Sequence, residues 1–407
     1  MLAKIIGSTL IITGTTLGAG ILALPIVSSG AGFGWSLLLL VSIWVLLTYT
    51  ALLVLEVTLA LPAEHNSFQS MAHKTLGLPG RIVAWLSCVL LLYALTCAYI
   101  SGASSLLNGL IQTLFHVAIP NWLGSLLFTL VFGGIVFYST RAVDVINRWL
   151  LSAKGITLLL GVILLMPHIQ FTQLVSEPSQ FRYVWAAVPI FLTAFGFHTV
   201  IPSLVNYIGP KPKVMKWILI VGAFLPLVLY AAWLLCTLGV IPRAGDTSSF
   251  QAVAAHQDSL DVMLQSLFNL AHSRLAESFV NAFANIALTT SFLGVTLGLF
   301  DFLADGCKRP NTRSGRFQTA LITFLPPFIF AVFYPQGFII ALGYATIMFA
   351  VLGVILPALM AWKLRRHKTL KSPYRVWGGD AVLWLIVLIG VVLIVLQILS
   401  QFNQLPV

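Results

Sequence analysis

Eleven stretches of mostly apolar residues follow one another along this chain, near 5–29, 33–60, 82–111, 121–140, 149–167, 184–207, 214–241, 276–303, 317–334, 337–362 and 380–402. A run of about 20 such residues is what an α-helix needs to cross the hydrocarbon core of a bilayer. In hydrocarbon every backbone N–H and C=O must be paired inside the protein, so only helices and closed barrels span. The expectation is an all-α integral membrane protein with eleven transmembrane helices in one domain over residues 1–407. Composition agrees, with 59% of residues hydrophobic and 8% charged.

The charges that remain are unevenly placed. With the N-terminus in the cytoplasm, nineteen Lys and Arg fall inside and only Arg182, Arg243 and Arg274 outside. Cytoplasmic connections collect Lys and Arg, so this orientation is expected, and it places the C-terminus on the outer face. The net charge of +11 is then a topology signal spread over short connections, and nucleic acid is not an expected partner. The first run leads straight into motif-bearing sequence, which reads as a retained helix and not a cleaved signal peptide. Cys88, Cys97, Cys236 and Cys307 show no paired or metal-like spacing, so neither disulfide nor metal site is expected. The long connection 242–275 carries Asp246, Asp258, Asp261 and an apolar set at Val262, Leu264, Leu267 and Leu270. It reads as an outer loop with a short amphipathic helix, either a lid or an ordinary surface loop.

The first run contains Gly14, Gly18 and Gly20 at mid-depth. Glycine weakens a helix, which predicts a break inside the protein; the alternative is an unbroken helix using small residues for close packing. A broken helix turns backbone N–H groups, at the positive end of its dipole, toward the interior, where a carboxylate could bind. Thr15 and Thr16 would add hydroxyls. The sixth run repeats the pattern: Gly196 follows Thr193, and Pro202 lies downstream as Pro25 does in the first run. Recurrence after five spans predicts a five-plus-five repeat with broken helices 1 and 6. Its halves are about 5–167 and 184–362, with the eleventh helix 380–402 appended. Because five is odd, the second half enters the membrane from the opposite side, as in secondary transporters built on inverted repeats.

Several segments also carry a family resemblance. They are GTTLGAGILALP at 14–25, LLYALTCAYISGA at 91–103, AFGFHTVIPSLVNY at 194–207, TSFLGVTLGLFDFLAD at 290–305, TFLPP at 323–327 and YRVWGGD at 374–380. With these the chain resembles, over essentially its whole length, the bacterial aromatic amino acid permeases, the tyrosine carriers more than the tryptophan carriers. The resemblance implies the helical fold of the amino acid, polyamine and organocation superfamily. It also implies proton-coupled uptake of an aromatic amino acid across the bacterial inner membrane.

A free amino acid presents a carboxylate, an ammonium and a side chain. Backbone N–H groups at Gly18, Ala19 and Gly20, with Thr15 or Thr16, suit the carboxylate, and carbonyls near Thr15, Phe195 and Gly196 suit the ammonium. Phe195 and Phe197 are candidates for the side-chain pocket. His198 beside the second break is a candidate partner for a phenol or a proton, the alternative being a neutral histidine bonded to a helix carbonyl. Tyr93, Thr96 and Tyr99 share a face of the third span and either border the pocket or hold helices together. Lys154 reads as the start of the fifth span. It either snorkels to the cytoplasm or, as the resemblance to sodium-independent members of the superfamily implies, replaces a cation beside the first and eighth helices. Thr290 and Ser291 offer the rival reading, an oxygen cage for sodium. Asn281 and Asn285 mark a polar face of the same span. Glu56, Asp301 and Asp305 are expected to pair with Lys308, Arg309, Arg313 and Arg316.

No enzyme motif is present: the sequence has no HExxH, no GxSxG and no P-loop. No cofactor is expected. A repeated pore lining, as in a channel, is also missing, while a non-transporting receptor or structural membrane protein stays open as another class. The expectation is a symporter of an aromatic L-amino acid, tyrosine first, driven by protons. Sodium coupling and a tryptophan preference are the alternatives.

Overall fold

The computed structural model describes residues 1–404 apart from 63–66, 118, 176–180, 246–247, 256–258, 311, 335–336, 368–369 and 403. Asp246 and Asp258 of the long connection lie outside the described residues. Helices are the regular secondary structure of the described residues, with no strand among them. Among the described residues ten helices are long and apolar enough to cross a membrane, and one bent pair makes up to an eleventh span.

That pair is the first run. α1 (Leu2–Thr16) and α2 (Gly20–Ser28) meet at 50°, so the glycines mark a true break. α3 (Gly32–Ala60) is unbroken. α4 (Phe68–Phe115) starts earlier than the third apolar run, and its backbone leaves helical geometry at Gly77, with φ 75°. Glycine enters that region without a Cβ clash, and Pro79 follows, so the chain bends before it enters the membrane. α5 (Asn121–Tyr138) ends at Ser139, whose extended backbone and hydroxyl cap α6 (Thr140–Leu165) by accepting from the N–H of Arg141 and Ala142. The fifth span therefore begins at Thr140 and not near 149, and Lys154 sits well inside a helix rather than at its start.

A short α7 (Phe171–Val175) leads to the sixth run, which is again divided: α8 (Val184–Ala194), a 3-10 turn at His198–Val200, and α9 (Ile201–Ile208) opening with Pro202. α10 (Pro212–Val240) is followed by α11 (Phe250–Ala255) and α12 (Ser259–Ala271). The amphipathic helix expected in the long connection is α12. It buries Leu260, Met263, Leu264, Leu267 and Ala271, whereas Leu270 is exposed. α13 (Arg274–Gly306), α14 (Arg313–Phe333), α15 (Gly337–Phe349), a π-helical segment at Ala350–Ile355, α16 (Leu356–Arg365) and α17 (Asp380–Gln401) complete the chain.

Packing sorts these helices into two groups. α1, α2, α3, α8, α9 and α10 pack on one another, with α1 and α3 against α10 and α2 against α8. α4, α5, α6, α13 and α14 form the second group, in which α13 lies along α6 and α4. α15 touches both, through α8 and α4. Both breaks belong to the first group.

The segment after α16 is fastened back onto α3. Glu56 and Arg365 form a bidentate pair, 2.7 Å in each arm, with side chains 2% and 5% exposed. Glu56 also accepts the Val376 N–H, while Arg365 donates to the carbonyls of Val376 and Gly378. Tyr49 donates to the Trp377 carbonyl at 2.6 Å. The carboxylate expected to pair with residues 308–316 thus has Arg365 as its partner. YRVWGGD at 374–380 is the strap that completes this polar cluster, since a buried charge persists only when paired and fully hydrogen-bonded.

Candidate functional site

At the first break residues 17–19 leave the helix. The Thr16 hydroxyl donates to the Ile12 carbonyl at 2.8 Å, and the Gly18 N–H donates to the Thr16 carbonyl at 2.6 Å. Ala19 donates its N–H across the structure to Ser291 Oγ on α13, at 3.2 Å. Gly20 is the first residue of α2, where an N–H has no carbonyl within its own helix. It is also a contact between the two breaks: a Cβ on Gly20 would lie 3.2 Å from the Ala194 Cα. A Cβ on Gly18 would lie 3.4 Å from Ser291 Oγ and 4.0 Å from the Tyr99 hydroxyl.

Lys154 is 2% exposed, and its ammonium donates to the Leu17 carbonyl at 2.5 Å and the Gly14 carbonyl at 3.3 Å. These carbonyls belong to the end of α1 and the break itself, the negative end of a helix dipole. No described carboxylate lies within 4.0 Å of it. A lysine that ends on interior carbonyls does not snorkel, and that reading is set aside. Of the rival oxygens, Thr290 donates to the Ala287 carbonyl at 3.1 Å and Ser291 accepts from Ala19, each hydroxyl keeping a lone pair.

At the second break Phe195 and Gly196 turn their N–H groups back to Leu192 and Thr193, each at 3.3 Å. Phe195, Phe197 and His198 are buried. Gly18 and Gly196 are half-buried beside buried neighbours, whereas Gly20 is buried and Thr15 is exposed. His198 Nε2 lies 2.8 Å from the Thr50 hydroxyl. Thr50 in turn lies 3.2 Å from the Leu47 carbonyl, and the tautomer with Nε2 donating to Thr50, Thr50 to Leu47 and Nδ1 left as acceptor pairs every donor of this hydrogen-bonded set. Nδ1 is buried without a hydrogen-bond partner among the described residues. The imidazole is flanked by Phe197 and, edge-on, by Phe349 at the start of the π-helical segment.

The remaining candidates on the third span are dispersed. Tyr93 donates to the Ile322 carbonyl on α14 at 2.7 Å, and Thr96 donates to Leu92 one turn back, so neither hydroxyl is turned to a break. Tyr99 is the member of that face that reaches Gly18. Asn285 donates to the Asn281 carbonyl, within its own helix.

Sequence reasoning missed Tyr230. From α10 its hydroxyl lies 2.6 Å from the Thr16 carbonyl and 2.8 Å from the Ala194 carbonyl, the last carbonyls of α1 and α8. Its ring meets Phe195 edge-on at 5.1 Å. The site so assembled lies where the two helix groups meet: the first supplies the breaks and Tyr230, the second Lys154, Ser291 and Tyr99. Its open backbone N–H groups, interior carbonyls and aromatic walls are complementary to a small zwitterion with an apolar side chain.

Known proteins match the chain over its whole length. Residues 1–397 match the model of the tryptophan/tyrosine permease family. The chain is 40% identical to tyrosine-specific transport system 2 of Haemophilus influenzae, over 99% of this chain and 98% of that protein. It is 38% identical to a tryptophan-specific transport protein of Pseudomonas aeruginosa, over 99% and 96%. Among solved structures, a mutant of the Eremococcus coleocola manganese transporter superposes with a TM-score of 0.63 at 15% identity, covering 98% of this chain and 88% of that one. That likeness establishes a shared fold and nothing of the cargo. The chain belongs to the tryptophan/tyrosine permease family.

Proposed function

We propose that this protein is a secondary active transporter of the bacterial inner membrane that carries an aromatic L-amino acid, tyrosine before tryptophan, into the cytoplasm in symport with protons. The observation that carries the reading is the Lys154 ammonium on the Gly14 and Leu17 carbonyls. A cation is wanted at that helix end, and the lysine supplies one that can also give up a proton. Sodium would need the same place, where the ammonium already sits on the Gly14 and Leu17 carbonyls. Two like charges exclude each other at such short range.

The substrate carboxylate faces the N–H of Gly20 at the start of α2, and its ammonium the carbonyls of the two breaks. His198 accepts the phenol O–H at Nδ1, which favours tyrosine over phenylalanine. A site that must hydrogen-bond a substrate hydroxyl rejects analogues lacking it far better than an apolar pocket rejects a bulkier one. Residues 5–167 and 184–362 act as inverted repeats around the breaks, with the two helix groups moving against each other. The named transport activities of the relatives support the substrate class.

Uptake of labelled tyrosine by proteoliposomes tests this directly. It should proceed without sodium, rise with an inward proton gradient, and be inhibited by tryptophan more than by leucine. Uptake that requires sodium at fixed pH would replace the proton reading with the oxygen cage.

A further inference from the structure

A cavity of about 700 Å³ lies away from both breaks, where α4 begins and α13 ends. The bend at Gly77 builds one wall: it brings His73 and Lys74 before the kink and Arg81 beyond it around a single hollow. The end of α13 builds the other, with Phe302, Asp305, Gly306 and Lys308, the last held in a left-handed backbone with φ 50°. Lys74, Arg81 and Lys308 face one carboxylate, Asp305, across the lining. Among the described residues none of the three cations makes an ion pair within 4.0 Å. Like charges gathered in a concave, partly desolvated space raise its affinity for an anion. Ser67 and Ser70 add hydroxyls at the rim.

The cavity does not end in water on every side. Trp85 and Phe302 pair within it, ring centroids 5.8 Å apart. From Trp85 an exposed apolar track continues along α4 through Ile82, Leu86 and Leu90, which share one helical face. A free phosphate would use the cations and leave the track uncovered. An anionic phospholipid uses both, its phosphate among the cations and its acyl chains along the track. Tryptophan is the residue favoured at that depth, between headgroup and hydrocarbon.

We propose that this cavity is a binding site for an anionic phospholipid headgroup, at the end of the bundle that the charge asymmetry puts in the cytoplasm, where basic pockets between helices meet anionic lipid. The lipid would clamp α4 to α13 within the helix group that supplies Lys154 and Ser291.

The test uses the purified full-length protein and two lipids, phosphatidylglycerol and phosphatidylcholine, with retained lipid read by native mass spectrometry. The wild type should retain phosphatidylglycerol at least tenfold over phosphatidylcholine. The triple variant Lys74→Gln, Arg81→Gln, Lys308→Gln should lose that preference, while Arg313→Gln, outside the lining, should keep it. If the triple variant does not fold, Lys74→Gln and Lys308→Gln taken singly should each lower the preference at least twofold. Equal retention by wild type and variants would overturn the proposal. So would complete displacement of the lipid by inorganic phosphate, which would make the cavity a site for free anions only.

Discussion

The hydroxyl of Tyr230 donates to the carbonyl of Thr16 at 2.6 Å, although 214 residues separate them in the chain. The same hydroxyl lies 2.8 Å from the Ala194 carbonyl, so one proton is divided between the C-terminal ends of two half-helices. Both ends carry partial negative charge, and without a donor between them they would repel. Tyr230→Phe should cost about 1–3 kcal/mol, the penalty for removing the donor of the buried Ala194 carbonyl, while Thr16 keeps the Gly18 N–H. Thermal denaturation of the purified protein checks this: an unchanged midpoint would mean that the Ala194 carbonyl is satisfied without the phenol.

Lys154→Ala removes an ammonium whose partners are the Gly14 and Leu17 carbonyls. Tyrosine uptake by this variant should no longer respond to an imposed pH gradient, while exchange across the membrane persists. Proteoliposomes with matched and unmatched internal pH distinguish the two. Retained acceleration by the gradient would place proton coupling elsewhere.

The two glycines of the first break should respond differently to size. At Gly18 the nearest side-chain atom to a new Cβ is Ser291 Oγ at 3.4 Å, so Gly18→Ala should be tolerated within a few-fold in affinity. At Gly20 the neighbour is the Ala194 backbone at 3.2 Å, which cannot swing aside. Gly20→Leu should abolish substrate binding and leave membrane insertion intact. Scintillation proximity binding, read beside expression level, separates these outcomes.

His198→Phe should compress the preference for tyrosine over phenylalanine toward unity. The change removes the bare Nδ1 acceptor and keeps a ring between Phe197 and Phe349. Competition of labelled uptake by the two amino acids measures the ratio, and an unchanged ratio would assign the phenol to another group.

Arg365→Met should be far worse than the double change Glu56→Met with Arg365→Met. Breaking a buried pair leaves an uncompensated charge, at about 3–5 kcal/mol, whereas replacing both partners with apolar side chains is often close to neutral. Comparing the melting midpoints of the single and double variants decides whether the pair is held by mutual need.

The sequence made the breaks legible because the same pattern occurs twice, glycine at mid-depth with a proline downstream in runs one and six, and glycine weakens a helix. The same reasoning found Lys154 but misplaced it in its helix. Arg141, Asp144, Asn147 and Arg148 make the first turns of α6 polar, so the apolar window opens late and the lysine looks terminal. Tyr230 was illegible for the opposite reason. A tyrosine in a helix as apolar as α10 gives no sign of which way it faces, and what it joins is set by two other helices. Glu56 was recognised as needing a cation, yet its partner lies 309 residues downstream, beyond any local pattern.

That separation has a consequence for biosynthesis. At roughly 5–20 residues per second, the ribosome delivers Arg365 on the order of 15–60 s after Glu56. During that interval α3 holds a carboxylate without its guanidinium, and the Val376 N–H that completes its hydrogen bonds does not yet exist. The nascent chain must therefore keep the end of α3 in contact with water, or with a chaperoning partner, until α16 arrives. The last membrane helices thus lock the second one into place, and a chain truncated before residue 365 should be recognised and cleared by membrane proteases however well its earlier helices insert.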